Sequence, residues 1–224
     1  NSGLLAARYK AFGGPIEIDL IKDQGHNMWR GWFESERLTD FMIARALGWP
    51  DLELGTTFVN DAILQRQMPA PVWGWSKPGS KITITFAGQT KTSIANTAGK
   101  WSVTLDPLKA SNKERDLIVS NNKDLITLSG VLVGEVWFSS GQSNMDWIAG
   151  KSMCRDLANT LARSKDDVPI REFQVDTGSS LYPQSRTTAK DGWKRSKHAS
   201  GFSALSLAFA WKLHEELKVP IGIG

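Results

Sequence analysis

Apolar and polar positions alternate along the middle of the chain in a way that predicts strands. Between residues 56 and 130, short alternating runs recur at Pro71–Trp75, Lys81–Phe86, Thr90–Ala95, Trp101–Leu105, Leu117–Ser120 and Asp124–Leu128. A period of two puts Ile82, Ile84 and Phe86 on one face of a strand, and Trp101, Val103 and Leu105 on one face of another. Turn-forming segments separate the runs at Lys77-Pro78-Gly79, Ala87-Gly88, Asn96–Gly99 and Ser120-Asn121-Asn122. Short strands at near-regular spacing, broken by such turns, predict a β-sandwich.

From residue 131 the pattern changes. Val131–Ser139 is a nearly continuous apolar run interrupted by Gly134-Glu135, as suits a strand buried on both faces. Ile170–Asp176 predicts a second strand, and Ile221 opens a third. Between them, Gly201–Lys218 predicts a helix whose Phe202, Leu205, Phe209, Leu213 and Leu217 form one apolar stripe toward the core. Strand–helix–strand order predicts a parallel sheet.

Residues 1–48 predict a helix ended by Gly13-Gly14, a strand over Ile16–Ile21, a loop through Gly25-His26-Asn27, and a second helix closed by Gly48-Trp49-Pro50. Residues 49–55 read as a linker. The predicted class is therefore α/β with an all-β accessory domain: a β-sandwich, then the beginning of a parallel-sheet domain. The chain starts at Asn1 and stops in Pro220–Gly224, where a buried strand opens. Both ends read as truncations, so the lack of a signal peptide carries no information about compartment.

Composition narrows the function classes. Lys and Arg number 27 against 23 Asp and Glu, a net charge of +4, and no run concentrates the excess. Without a basic stripe, nucleic acid is not an expected partner. At 41% hydrophobic and 22% charged, the chain is not disordered as a whole. No apolar run approaches the roughly 18 residues that span a bilayer, so no membrane insertion is expected. A single cysteine, Cys154, excludes an intrachain disulfide, and three histidines argue against a multi-histidine metal site. No metal or organic cofactor is expected.

Gly141-Gln142-Ser143-Asn144-Met145 follows the strongest buried strand directly. A serine at the carboxyl end of a parallel strand sits where ligands bind, and a helix starting there would offer N–H groups to a developing oxyanion. Serine is a weak nucleophile and needs a base within hydrogen-bond reach. Equally, such a serine simply caps the helix that follows. Position alone leaves both roles open for Ser143.

The block Gly134–Met145 resembles the signature of sialate O-acetylesterases within the SGNH (GDSL-like) hydrolases. The resemblance continues through Pro69–Trp75, Gly99–Leu105 and Gly201-Phe202-Ser203-Ala204 to Val219-Pro220, covering about residues 56–224. It implies that Ser143 attacks a sugar O-acetyl ester and lends its backbone N–H to the oxyanion hole, with Gln142 and Asn144 touching substrate. It also implies a β-sandwich accessory domain over 56–130, the amino-terminal part of an SGNH domain over 131–224, and an extracellular or periplasmic setting. The family's remaining oxyanion donors and its Asp and His have no counterpart in these 224 residues. His198 and His214 match no family motif and are expected to face solvent. The chain alone is therefore expected to be nearly inactive.

Gly25-His26-Asn27-Met28-Trp29 is similar to the carboxyl-terminal histidine loop of α/β-hydrolase esterases. That resemblance makes His26 the general base of a separate unit over residues 1–48, with its serine ahead of Asn1. A loop histidine bonded to backbone is the other reading. Trp73 and Trp75 share a strand face, and core packing is expected for both. The sequence thus predicts a carbohydrate O-acetylesterase acting on an O-acetylated sugar, with oligomeric state undefined. Two rivals remain: a non-catalytic carbohydrate-binding module, and an α/β-hydrolase esterase whose nucleophile lies upstream.

Overall fold

In a computed structural model of the chain, residues 48–176, 178, 186–189 and 191–224 are described. The elements expected within residues 1–47, His26 among them, lie outside the described residues. The described chain is mostly β, with few helices. Its strands are β1 (Leu52–Leu54), β2 (Ile63–Gln65), β3 (Ala70–Ser76), β4 (Lys81–Phe86), β5 (Gln89–Ile94), β6 (Lys100–Leu105), β7 (Ser111–Ser120), β8 (Leu125–Trp137), β9 (Ile170–Phe173), β10 (Trp193–Arg195) and β11 (Ile221–Ile223). Two α-helices accompany them, α1 (Arg155–Arg163) and α2 (Ala204–Leu217), along with 3₁₀ segments at Ala149–Lys151 and Ser196–Gly201.

The alternation becomes sheet where it is strictest. Ile82, Ile84 and Phe86 of β4 are buried, whereas of the residues between them Thr83 is half-buried and Thr85 exposed. The strands form a three-stranded sheet in the order β1-β3-β6 and a mixed sheet in the order β10-β9-β11-β8-β7-β4-β5, with β2 also paired to β8. Val72 and Val103 of the small sheet share one core with Ile82, Ile84, Val119 and Val131 of the large one. Each such side chain contributes on the order of 2 kcal/mol through burial. A second core gathers Ile170, Ile221 and Ile223 with Ala158 of α1 and Phe202, Leu207 and Ala210 around α2.

Several elements depart from expectation. Leu52–Leu54, within the stretch that reads as a linker, pairs antiparallel with β3. The runs at Asp124–Leu128 and Val131–Ser139 are one strand, because Gly130 continues the chain at φ +74 instead of turning it. A Cβ there would lie 2.3 Å from Asp61 Oδ1. β8 pairs antiparallel with β7 up to Val133, and its last three residues pair parallel with β11. Gly134 at that changeover has no room for a side chain, since a Cβ would sit 2.0 Å from the Pro220 carbonyl oxygen.

The buried face of α2 is not the predicted stripe. Ser206, Leu207 and Ala210 are buried, whereas Leu205, Phe209 and Leu217 are exposed. Phe209 meets the ring of Trp137 edge-on at 5.2 Å, so the apolar stripe continues onto the end of β8. Trp73 and Trp75 do share a face, but it is the one opposite Val72, away from the shared core. Trp73 is half exposed and packs edge-on against Phe58, and Trp75 is buried under the Arg186 guanidinium, 4.1 Å from its ring.

Within the large sheet, Arg171 of β9 is 1% exposed and anchors an ionic cluster. Its Nη1 donates to the backbone carbonyls of Asp61 and Gly130, both at 2.6 Å, and its Nη2 to Glu114 at 3.0 Å. Arg195 of β10 completes the cluster, donating to Asp61 at 2.5 Å, Glu114 at 2.8 Å and Asp167 at 2.9 Å.

Candidate active site

Strands β8, β9 and β11 run parallel, so their carboxyl ends share one edge of the sheet. Backbone groups are unpaired beyond a strand's end, and loops there are free to carry chemistry. The Gly-Gln-Ser-Asn-Met segment occupies that edge. It leaves β8 through Ser139, whose N–H donates to the Gly224 carbonyl at 2.6 Å, and turns at Gln142, whose carbonyl accepts from the Met145 N–H at 2.8 Å. A cleft of about 510 Å³ opens there, lined by Ser139–Ser143, Glu172, Gln174, Ser203 and Ile223 among others.

Ser143 is exposed in this cleft, and its hydroxyl has no hydrogen-bond partner among the described residues. It caps no helix: the 3₁₀ segment begins at Ala149 and α1 at Arg155. That removes the capping role which the sequence leaves open. It also corrects the expectation of a helix amino terminus at Ser143, since the segment is a turn held by its own backbone. Gln142 lines the cleft beside Ser143. Asn144 belongs to the same turn without lining the cleft.

The other candidates fall elsewhere. His198 is exposed in the 3₁₀ segment before α2 and does not line the cleft. His214 does not face solvent as expected: its Nδ1 lies 2.7 Å from the Val219 carbonyl oxygen, closing the end of α2. Cys154 donates its thiol weakly to the Ala204 carbonyl at 3.4 Å. No group of three or more His, Cys, Asp or Glu side chains suited to a metal ion occurs among the described residues.

One lining residue escapes the sequence reading altogether. Glu172 lies in the apolar strand Ile-Arg-Glu-Phe, is 7% exposed, and accepts the Ser203 backbone N–H at 2.8 Å. Burial pushes its carboxyl up to about 6, against the opposing pull of the Ser203 N–H and of Lys194. The sign of the effect on stability follows. Below the ordinary value of 4.5 the group is protonated whether the chain is folded or not. As pH rises past about 6 the folded chain must bury the charge, which costs up to about 2 kcal/mol. Glu172→Gln is therefore expected to stabilise the protein by that order at pH 7.5 and to leave it unchanged at pH 4. Urea midpoints at the two pH values check this.

With this geometry in place, similarity to known proteins is informative. No family model matches the sequence. The human sialate O-acetylesterase is 28% identical over 78% of this chain and 38% of its own length. The mouse sialate O-acetylesterase is 28% identical over 73% of the chain and 33% of its own length. In structure, the chain is similar to a carbohydrate acetylesterase from Xanthomonas citri, with a TM-score of 0.70 and 35% identity over 76% of this chain and 39% of that one. The chain is thus similar to sialate O-acetylesterases and to a carbohydrate acetylesterase over about three quarters of its length, and spans less than half the length of these three relatives.

Proposed function

We propose that this chain carries the nucleophile-bearing part of a carbohydrate O-acetylesterase. The observation that carries the reading is Ser143, exposed in a cleft at the carboxyl ends of three parallel strands. In the reaction, Ser143 Oγ attacks the acetyl carbonyl as its proton passes to a base, so that the carbonyl carbon becomes tetrahedral and its oxygen an oxyanion. Collapse of that intermediate breaks the bond to the sugar oxygen, which leaves as the free hydroxyl by taking up the proton removed from Ser143. Water then attacks the acetyl-serine, releasing acetate and restoring the hydroxyl. The backbone N–H of Ser143 is one donor to the oxyanion, and Gln142 and Asn144 are the residues read as touching the sugar.

A base must accept the Ser143 proton, and neither described histidine reaches the cleft. On this reading the base and the remaining oxyanion donors belong to parts of the enzyme beyond these residues. Residues 56–130 form a β-sandwich accessory domain, and 131–224 begin an SGNH-type domain. The shared core of the two sheets supports the first assignment, and the parallel strands β8, β9 and β11 support the second. For residues 1–48 the reading rests on sequence resemblance alone, as a separate α/β-hydrolase-like unit with His26 as its base. No described helix is long and apolar enough to cross a membrane. An extracellular or periplasmic setting fits a glycan substrate.

Fluorophosphonate labelling of the whole protein, followed by peptide mass mapping, tests the assignment. An adduct on Ser143 that blocks hydrolysis of p-nitrophenyl acetate is expected. Hydrolysis with the adduct on another residue would overturn it.

A further inference from the structure

The serine loop is tied at both ends to one short segment. On its near side, the Ser139 and Ser206 hydroxyls meet at 2.6 Å. On its far side, Ile148 and Ser203 form an antiparallel bridge, in which the Ala204 N–H donates to the Trp147 carbonyl at 2.7 Å and the Ala149 N–H to the Phe202 carbonyl at 2.8 Å. Both ties depend on where Ser203 sits, because Ser203 is also the residue whose hydroxyl accepts the Ser206 N–H at 3.4 Å to start α2.

The bridge satisfies the neighbours of Ser203 but not its own N–H. A buried backbone donor without an acceptor is costly, and one buried group supplies the acceptor, the Glu172 carboxylate at 2.8 Å. A charged acceptor makes a stronger hydrogen bond than a neutral one, and the amino end of α2 favours the negative charge. We propose that Glu172 is a positioning residue for the serine loop, its carboxylate fixing Ser203 and Ser203 fixing both ends of the loop that carries Ser143. The role rests on reading Ser143 as the nucleophile.

Other charged groups face this carboxylate. Lys194 lies opposite Glu172 in the β9–β10 register, with its Nζ held by Asp191 at 2.9 Å. Asp146 lines the same cleft from the serine loop, and β11 contributes only Ile223 opposite Glu172.

Amide NMR of the full chain between pH 4.5 and 8 provides the test. The Ser203 amide and the amides of Gly141–Asp146 are expected to shift with one common midpoint near 6, and to lose that midpoint in Glu172→Gln. Loop amides that do not titrate overturn the proposal. So does a midpoint that survives in Glu172→Gln, since it would then belong to a different group. Hydrogen exchange supplies the second arm. Glu172→Ala should speed exchange across residues 139–149 by about tenfold or more while β4 and β7 are unchanged, with Glu172→Gln restoring most of the protection through its amide oxygen. Acceleration throughout the chain, or none in the loop, overturns the positioning role. If Glu172→Ala does not fold, the titration decides alone. Neither readout requires turnover, so a failure of the nucleophile assignment is seen separately, in the labelling experiment.

Discussion

Replacing Ser143 by alanine in the whole protein is expected to lower the release of acetate from an acetylated sugar by at least about a thousandfold. Removal of a nucleophile from a serine hydrolase leaves only binding and oxyanion stabilisation, and the losses measured in such enzymes are of this order or larger. The structure makes the result interpretable. Ser143 is exposed, caps no helix, and bonds to nothing through its hydroxyl among the described residues. Alanine at such a position changes stability by no more than about 0.5 kcal/mol. A thermal melt matching the parent, together with lost turnover, would place the effect in the chemistry. Unchanged turnover would remove Ser143 from the mechanism.

Arg171→Ala is expected to be the most damaging change to the fold described here, at about 3 kcal/mol or more. Truncation leaves the carbonyls of Asp61 and Gly130 without their donor and strips Glu114 of one of its two arginines. Removing one partner from a buried ionic cluster strands the charge and the polar groups left behind, and losses of several kcal/mol are typical. Arg195→Ala removes the more exposed arginine and should cost clearly less, about 1 kcal/mol. Urea unfolding of the two variants checks the ranking. Equal losses would mean that the cluster acts as a surface network. Because Arg171 and Glu172 are adjacent on β9, the first variant should also loosen the cleft.

How legible these features are depends on what the sequence encodes locally. β4 is legible residue by residue, because Ile82, Ile84 and Phe86 alternate with polar positions and glycine-containing turns bound the run. The join within β8 is not. The alternating run ends at Leu128 and the apolar run begins at Val131, and only the surrounding ladder shows that Gly130 joins them in a continuous strand. The face of α2 is ambiguous for a different reason. Leu205 and Phe209 are as regularly spaced as Leu207 and Ala210, and spacing alone does not say which stripe meets the sheet.

The candidate site divides in the same way. Ser143 is marked by its place after an apolar strand and by a specific motif. Glu172 carries no such mark, since a single acid within Ile-Arg-Glu-Phe gains meaning only when all four residues are seen to be buried. The one available signal is the pair of opposite charges inside an apolar strand, where unpaired charges would be costly. α1 is missed because Arg155–Arg163 buries little beyond Ala158 and Leu161.

The continuity of β8 bears on how such a protein is inherited. Its first residues complete the sheet whose core the small β-sheet covers, and its last lead into the serine loop. A recombination breakpoint between residues 130 and 131 would split this strand and part Leu132 and Val133 from their partners on β2 and β7. Exchange of the small sheet and its core for another is therefore expected to leave the serine loop intact only if the graft keeps all of Leu125–Trp137.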